Sequence, residues 1–205
     1  MRTLSLNQVA SPPTELVTLS VEQYHRMLAV GVLEDGEPIE LLDGVLVPKE
    51  RGDGVTMNPE HRLALGRLMR LGPQVEQLGG HLQLQGPLTL EPLHEPEPDG
   101  MLVFGGLEQY AERHPGAADV GSVIEVSASS LERDRTTKQR IYSEAKIAQY
   151  VIVNLVDRRV EVYEEPKPAD GIYGVVRLAT DDESISLRLG DAQLDVKASE
   201  LLGAG

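Results

Sequence analysis

The run Ser122 to Ser127 constrains this chain more than any other stretch, because it is apolar, as a buried strand must be, except for one carboxylate, Glu125, set between Ile124 and Val126. A carboxylate inside an otherwise buried strand costs several kcal/mol unless a metal or a cation compensates it. The alternative is a half-exposed strand whose alternation turns Glu125 to solvent, where it needs no partner. Ser129 with Glu132 reads as a capping box for a helix running to about Lys146. Tyr150 to Leu155 and Arg159 to Tyr163 then read as a hairpin around Val156-Asp157-Arg158.

Upstream, Ser20 and Gln23 form a capping-box pattern ahead of Val21, Tyr24, Leu28 and Val30, a short amphipathic helix ended by Gly31. Pro38 to Leu42 and Val45 to Val47 flank Asp43-Gly44, which tolerates the positive φ of a type I′ hairpin. A polar, Gly-rich connection over residues 48–58 leads to a helix from Pro59, with Ala64, Leu68, Leu71, Val75 and Leu78 on one side and Gly72-Pro73 expected to kink or divide it. Strands are expected at His81 to Leu90 and Met101 to Phe104, with a helical segment near Leu107 to Arg113 between the latter and the Glu125 strand. Further edge strands are expected at Ile172 to Ala179 and Ile185 to Leu189, and a brief helix at Ala198 to Leu202. This order fits the α/β (α+β) class: a mixed central sheet flanked by helices, with extra β-hairpins. At 205 residues the chain suits one domain, residues 18–205, behind an N-terminal arm, residues 1–17, suited to packing on a partner subunit.

Cysteine is absent, which removes disulfides, thiolate metal sites and cysteine nucleophiles and agrees with a reducing, cytoplasmic setting. No stretch approaches the ~18 apolar residues of a membrane span. A net charge of −14 opposes nucleic-acid binding unless some surface is locally positive. The window Glu132 to Lys146 is such a candidate, since Arg133, Arg135, Lys138, Arg140 and Lys146 outnumber its three acids.

Asp99, in Pro98-Asp99-Gly100, precedes an apolar strand that could share a sheet with Glu125, although Pro-Asp-Gly is also an ordinary turn. Two carboxylates converging at strand ends make an oxygen-rich site suited to Mg²⁺ or Mn²⁺, with the Val126 backbone carbonyl as a third ligand. An ion there can polarise a phosphoryl oxygen and activate a water. On the following helix Lys138, Ile141, Tyr142 and Ala145 share one side, extended by Asp134. Lys138 then either faces the core or runs its stem along the stripe edge with its ammonium in water. Asp134 either orients Lys138 or forms a surface pair of little energy.

These residues resemble the PD-(D/E)XK nuclease superfamily, and within it the restriction-endonuclease-like Uma-two family. The likeness runs from about Thr18 to Glu164 through Glu40-Leu-Leu-Asp-Gly, the His61 helix, Pro98-Asp99-Gly100, Val123-Ile-Glu-Val-Ser, Asp134 with Lys138, Tyr142, and Tyr150-Val-Ile-Val. It implies that Asp99 and Glu125 bind the metal and that Glu40 is an additional acid. It also implies that the lysine usually found two residues after the Glu, here Ser127, has migrated to Lys138; positions 125 and 127 face the same side, so a helix over that side can supply it. His61 is either a hydrogen-bonded core residue or a site residue, and Gln85 is placed to touch the site from its strand. Ala128, Ala145-Lys146 and Gln149-Tyr150-Val151 depart from the family pattern and bear on substrate preference.

Two functions follow as expectations. One is a Mg²⁺- or Mn²⁺-dependent endonuclease acting on DNA. The other is a catalytically silent relative acting as a binding or structural homodimer. No Walker loop, dinucleotide fingerprint, G-x-S-x-G or H-E-x-x-H is present, so no nucleotide cofactor is expected.

Overall fold

In a computed structural model, the strands of this chain assemble into one six-stranded sheet with helices and two separate hairpins laid against it. The structure describes residues 16–34, 36–49 and 59–203. Most of the expected N-terminal arm, residues 1–15, and most of the Gly-rich connection, residues 50–58, lie outside the described residues.

Helix α1 (Val21–Ala29) opens with the expected capping box: the Gln23 N–H donates to Ser20 Oγ at 3.2 Å and the Ser20 N–H donates to Gln23 Oε1 at 2.8 Å. Strands β1 (Ile39–Leu42) and β2 (Val45–Pro48) form the hairpin, with φ of 53° at Asp43 and 70° at Gly44. The helix expected from Pro59 is divided into α2 (Pro59–Met69) and α3 (Gly72–Gln77), with proline in the first turn of α3, where its missing N–H breaks no bond.

Strand β3 (Gly80–Leu84) is shorter than the expected run to Leu90, because Gln85 adopts φ 49° and the chain beyond makes only isolated bridges, Leu90 to His94 and Thr89 to Gly116. Strand β4 (Gly100–Phe104) is followed by a single 3₁₀ turn, Leu107–Tyr110, in place of the longer helical segment expected there. Strand β5 (Val120–Ser127) leads into a helical segment made of α4 (Leu131–Arg133), a π-helical turn (Asp134–Lys138) and α5 (Gln139–Glu144). The expected Ser129–Glu132 cap is corrected: Ser130 is the N-cap and makes no capping bond, its hydroxyl donating instead to Asp134. Strands β6 (Gln149–Asn154), β7 (Arg159–Lys167) and β8 (Ile172–Ala179) complete the sheet. Strand β9 (Ser184–Leu189) is not a strand of that sheet; it pairs with β10 (Ala192–Lys197), before the C-terminal helix α6 (Ala198–Leu202).

The order is β3-β4-β5-β6-β7-β8, antiparallel except for the parallel pair β5–β6, which the helical segment connects. Both central strands are buried throughout, as expected for a parallel pair covered on both faces. Leu102, Ile124, Val126, Val151 and Val153 pack with α2, α6 and the β9–β10 hairpin. Met101, Val103, Val123, Tyr150 and Ile152 pack on the other face with Ile141 and Tyr142 of α5. Full burial of each such aliphatic side chain contributes about 1.5–3 kcal/mol. The β9–β10 hairpin approaches β5 so closely that a Cβ on Gly121 would lie 2.4 Å from the Arg188 carbonyl oxygen. Glu125 belongs to the helix-covered face and is 3% exposed, which overturns the half-exposed alternative. No helix among the described residues is long and apolar enough to cross a membrane.

Candidate active site

Pairing of β4 with β5 ends at Gly100 and Ile124, which frees the Val126 amide from that ladder. Asp99, one residue before β4, takes it: the Val126 N–H donates to Asp99 Oδ2 at 2.8 Å. His61 of α2 bonds the same oxygen through Nε2 at 3.0 Å. Burial alone would lower the His61 pKa, but the bond to Asp99 and the charges of Asp99 and Asp134 outweigh it and hold His61 above the usual histidine range.

Glu125 Oε1 accepts from Lys138 Nζ and from the Tyr142 hydroxyl, each at 2.8 Å. Lys138 also contacts Glu40 Oε1 at 3.0 Å, and the Glu97 N–H donates to that same oxygen at 2.8 Å. Lys138 is therefore buried between two acids, not at a stripe edge with its ammonium in water, and Glu40 is a buried residue of the hairpin, not an exposed one. Burial opposes the Lys138 charge, yet Glu125, Glu40 and Asp134 together raise its pKa above the ordinary lysine value, so it stays an ammonium. Burial also raises Glu125 well above the carboxylate range; Lys138 pulls the other way, and Asp134, Asp99 and Glu40 reinforce the rise.

Asp134 does not pair with Lys138; its Oδ2 accepts from Ser127 Oγ at 2.6 Å and Ser130 Oγ at 2.7 Å. Ser127, where the resemblance expects a lysine, is thus part of the support for that acid. Glu40, His61, Gln85, Asp99, Glu125, Val126, Asp134 and Lys138 line one polar cavity of about 60 Å³. About 10–15 Å³ suffices for one water by this measure, so the space suits an ion with several waters. Lys49 and Glu97, which form an ion pair, and Ser130 and Arg133 line it too, and of these the sequence assigned none but Glu97, through its acidic run, any place near the site. Glu97 lies in the acidic run Glu91 to Glu97, whose composition allows either a solvated stretch or outer carboxylates for the site; Arg133 lies in the positive window, and Lys49 carries no local signal.

The oxygen donors suit a hard divalent cation. Among the described residues the hydrogen bonds of Asp99 fall on Oδ2 and those of Glu125 on Oε1, leaving Oδ1 and Oε2 without one. Among those residues no three histidine or acidic side chains are grouped to ligate one ion. That set fits Mg²⁺, which binds through one or two carboxylates and keeps several waters, better than a metal needing a full protein cage. The expected positive window is largely engaged: Arg135 pairs with Asp157 and Glu161, and Arg140 with Asp43 and Glu144.

A mixed sheet whose single parallel pair carries a buried acid on its first strand, met by a lysine from the connecting helix, places the chain in the restriction-endonuclease-like α+β class. The crystal structure at 1.96 Å of a protein described as a "putative nuclease belonging to DUF820" from Anabaena variabilis ATCC 29413 is similar, with a TM-score of 0.65, covering 90% of this chain and 97% of that one. The two are 13% identical, so the likeness is one of fold. The model of the Uma2 family, described as "Putative restriction endonuclease", matches residues 21–197, and the chain belongs to that family. No curated protein matches it.

Proposed function

We propose that this protein is a Mg²⁺- or Mn²⁺-dependent endonuclease that hydrolyses DNA phosphodiester bonds. The observation that carries the reading is the convergence of Asp99 and Glu125 on one polar cavity, with Lys138 Nζ 2.8 Å from Glu125. Family membership and the description of the Anabaena protein support the same class of reaction.

Asp99, Glu125 and the Val126 carbonyl are the residues that would hold the cation. When bound, it supplies Lewis acidity at a phosphoryl oxygen and lowers the pKa of a water. The remaining tasks fall to the chain. His61 and the Val126 amide fix Asp99 through one oxygen, and Tyr142 and Lys138 fix Glu125 likewise. The Lys138 ammonium, kept charged by its acidic neighbours, offers a fixed positive charge to the phosphoryl group as negative charge develops on it. Water oxygen bonds to phosphorus and gives up a proton to solvent, the bond to the leaving oxygen breaks, and that oxygen is protonated from solvent.

The test is cleavage of plasmid and single-stranded DNA with Mg²⁺ or Mn²⁺, comparing the wild type with a folded Glu125→Ala variant and a chelator control. Metal-dependent cutting that the variant loses supports the proposal, whereas cation binding without cutting sinks it. The second outcome favours a catalytically silent homodimer, a reading supported by the net charge of −14 and by the ion pairs that engage Arg135 and Arg140.

A further inference from the structure

Asp134 opens the π-helical turn between α4 and α5 and is 1% exposed. Its Oδ2 is saturated by two hydroxyls, Ser127 from the end of β5 and Ser130 from the start of the helical segment, at 2.6 and 2.7 Å. Its Oδ1 is buried and, among the described residues, has no hydrogen-bond partner. Buried polar atoms in that condition are few in folded proteins and mark a missing water, ion or functional contact.

A carboxylate oxygen only accepts, so whatever meets Oδ1 is a donor or a cation. Asp134 lines the same cavity as Asp99 and Glu125. No three acidic or histidine side chains among the described residues are grouped to ligate one ion, which argues against Asp134 as a direct third ligand. The Lys138 ammonium reaches Glu125 and Glu40 and, among the described residues, forms no ion pair with Asp134. A hydration water is the donor that a divalent cation in this cavity would bring, since Mg²⁺ and its analogues retain several.

We infer that Asp134 Oδ1 accepts a hydrogen bond from a hydration water of the divalent cation held by Asp99 and Glu125, and so sets the position of that water. The inference rests on the metal-dependent reading above. Asp134 is a positioning residue, with Ser127 and Ser130 fixing the tilt of its carboxylate so that the second oxygen is presented at one place. Such outer carboxylates typically contribute 10–100-fold in metal affinity. The π-helical turn puts Asp134 and Lys138 on the same cavity, a placement often found where π-turns occur at functional sites.

Calorimetric titration of the full chain with MnCl₂, without DNA, tests this in the wild type, Asp134→Asn and Glu125→Gln. Asparagine keeps an acceptor for the serine hydroxyls and removes the acceptor at Oδ1. The expected result is a 10–100-fold weaker Mn²⁺ site in Asp134→Asn, with its unfolding midpoint recorded to establish the fold. A folded Asp134→Asn protein binding Mn²⁺ within about twofold of the wild type overturns the inference, while loss of binding in Glu125→Gln would leave the metal-dependent reading standing. Absence of Mn²⁺ binding by the wild type overturns both. Should Asp134→Asn not fold, the same titration on Ser130→Ala decides: a several-fold loss of affinity supports the assignment, and unchanged affinity overturns it.

Discussion

Lys138 lies 13 residues beyond Glu125, on a different element, yet its buried Nζ donates to Glu125 Oε1 at 2.8 Å. The cation reaches the acid from the helix that covers it, because Glu125 and Ser127 face that helix from the same side of β5.

Replacing Lys138 with methionine leaves Glu125 and Glu40 buried without their shared ammonium. Removing one partner of a buried pair costs about 3–5 kcal/mol. Urea unfolding at pH 7 is expected to show that loss, with part of it recovered in the Glu125→Gln/Lys138→Met double variant, since contacting residues couple. An unchanged midpoint for Lys138→Met would mean that the ammonium does not stabilise this cluster.

Divalent cation should raise the thermal midpoint. Ligand at a hundred times its dissociation constant stabilises the native state by about 2.7 kcal/mol. Scanning fluorimetry with increasing MnCl₂ is expected to show a rise that Asp99→Asn and Glu125→Ala abolish. A rise that persists in both variants would place the cation elsewhere.

Glu161 sets an acid limb of stability. It is 1% exposed and accepts from Arg135, Arg159, Asn154 Nδ2 at 2.8 Å and the Tyr163 hydroxyl at 2.8 Å. Burial pushes its pKa up, but these donors outweigh burial and hold it at about 2, below its ordinary 4.5. Because the folded value is depressed, the stabilisation is fully present above pH 4.5 and disappears as pH falls towards 2. At 1.36 kcal/mol per unit it amounts to roughly 3 kcal/mol. Unfolding free energies measured from pH 6 down should fall accordingly, and Glu161→Gln should be less stable at pH 6 with a flatter acid limb. A variant with the wild-type slope would show that other groups carry it.

Gly121→Ala would force a Cβ to within 2.4 Å of the Arg188 carbonyl oxygen and 2.7 Å of the Leu189 Cα, both backbone of β9. Overpacking of this kind costs about 1–3 kcal/mol. Urea unfolding reads it, and faster amide exchange in β9 and β10 should accompany it. A neutral Gly121→Ala would mean that the hairpin is not held to β5 by close approach.

Local chemistry made much of the fold legible. Asp43-Gly44, the Ser20–Gln23 box and Gly72-Pro73 each act within a few residues, and each produced the feature its chemistry requires. The misses arise from tertiary contact. Leu84 ends β3 because Gln85 turns to positive φ, and alternation from His81 onward carries no sign of that. Strand β10 is interrupted by polar residues, and its partner β9 was read as belonging to the main sheet. Asp99, Glu125, Glu40 and Lys138 meet because Glu95 bridges back to Leu41, bringing the hairpin and the Asp99 segment together. No spacing along the chain records that bridge, which is also why nothing local points to Lys49. Asp134 was assigned to Lys138 because regular helical spacing pairs them, whereas the serine hydroxyls at positions 127 and 130 are its partners.

Between α4 and α5 the backbone closes its hydrogen bonds one residue later than a regular helix does. Deleting one residue there, Thr136 for instance, would restore ordinary winding and leave everything downstream in nearly the same phase, because five residues closed by the later bond turn about as far as four in a regular helix. Lys138 and Tyr142 would stay beside Glu125, whereas a deletion in the regular winding of α4 would turn both away by about 100°, with no chemical group altered. The π-turn is therefore a place where this segment can gain or lose a residue without carrying the cation off its acid, and related chains should differ in length there sooner than in α4.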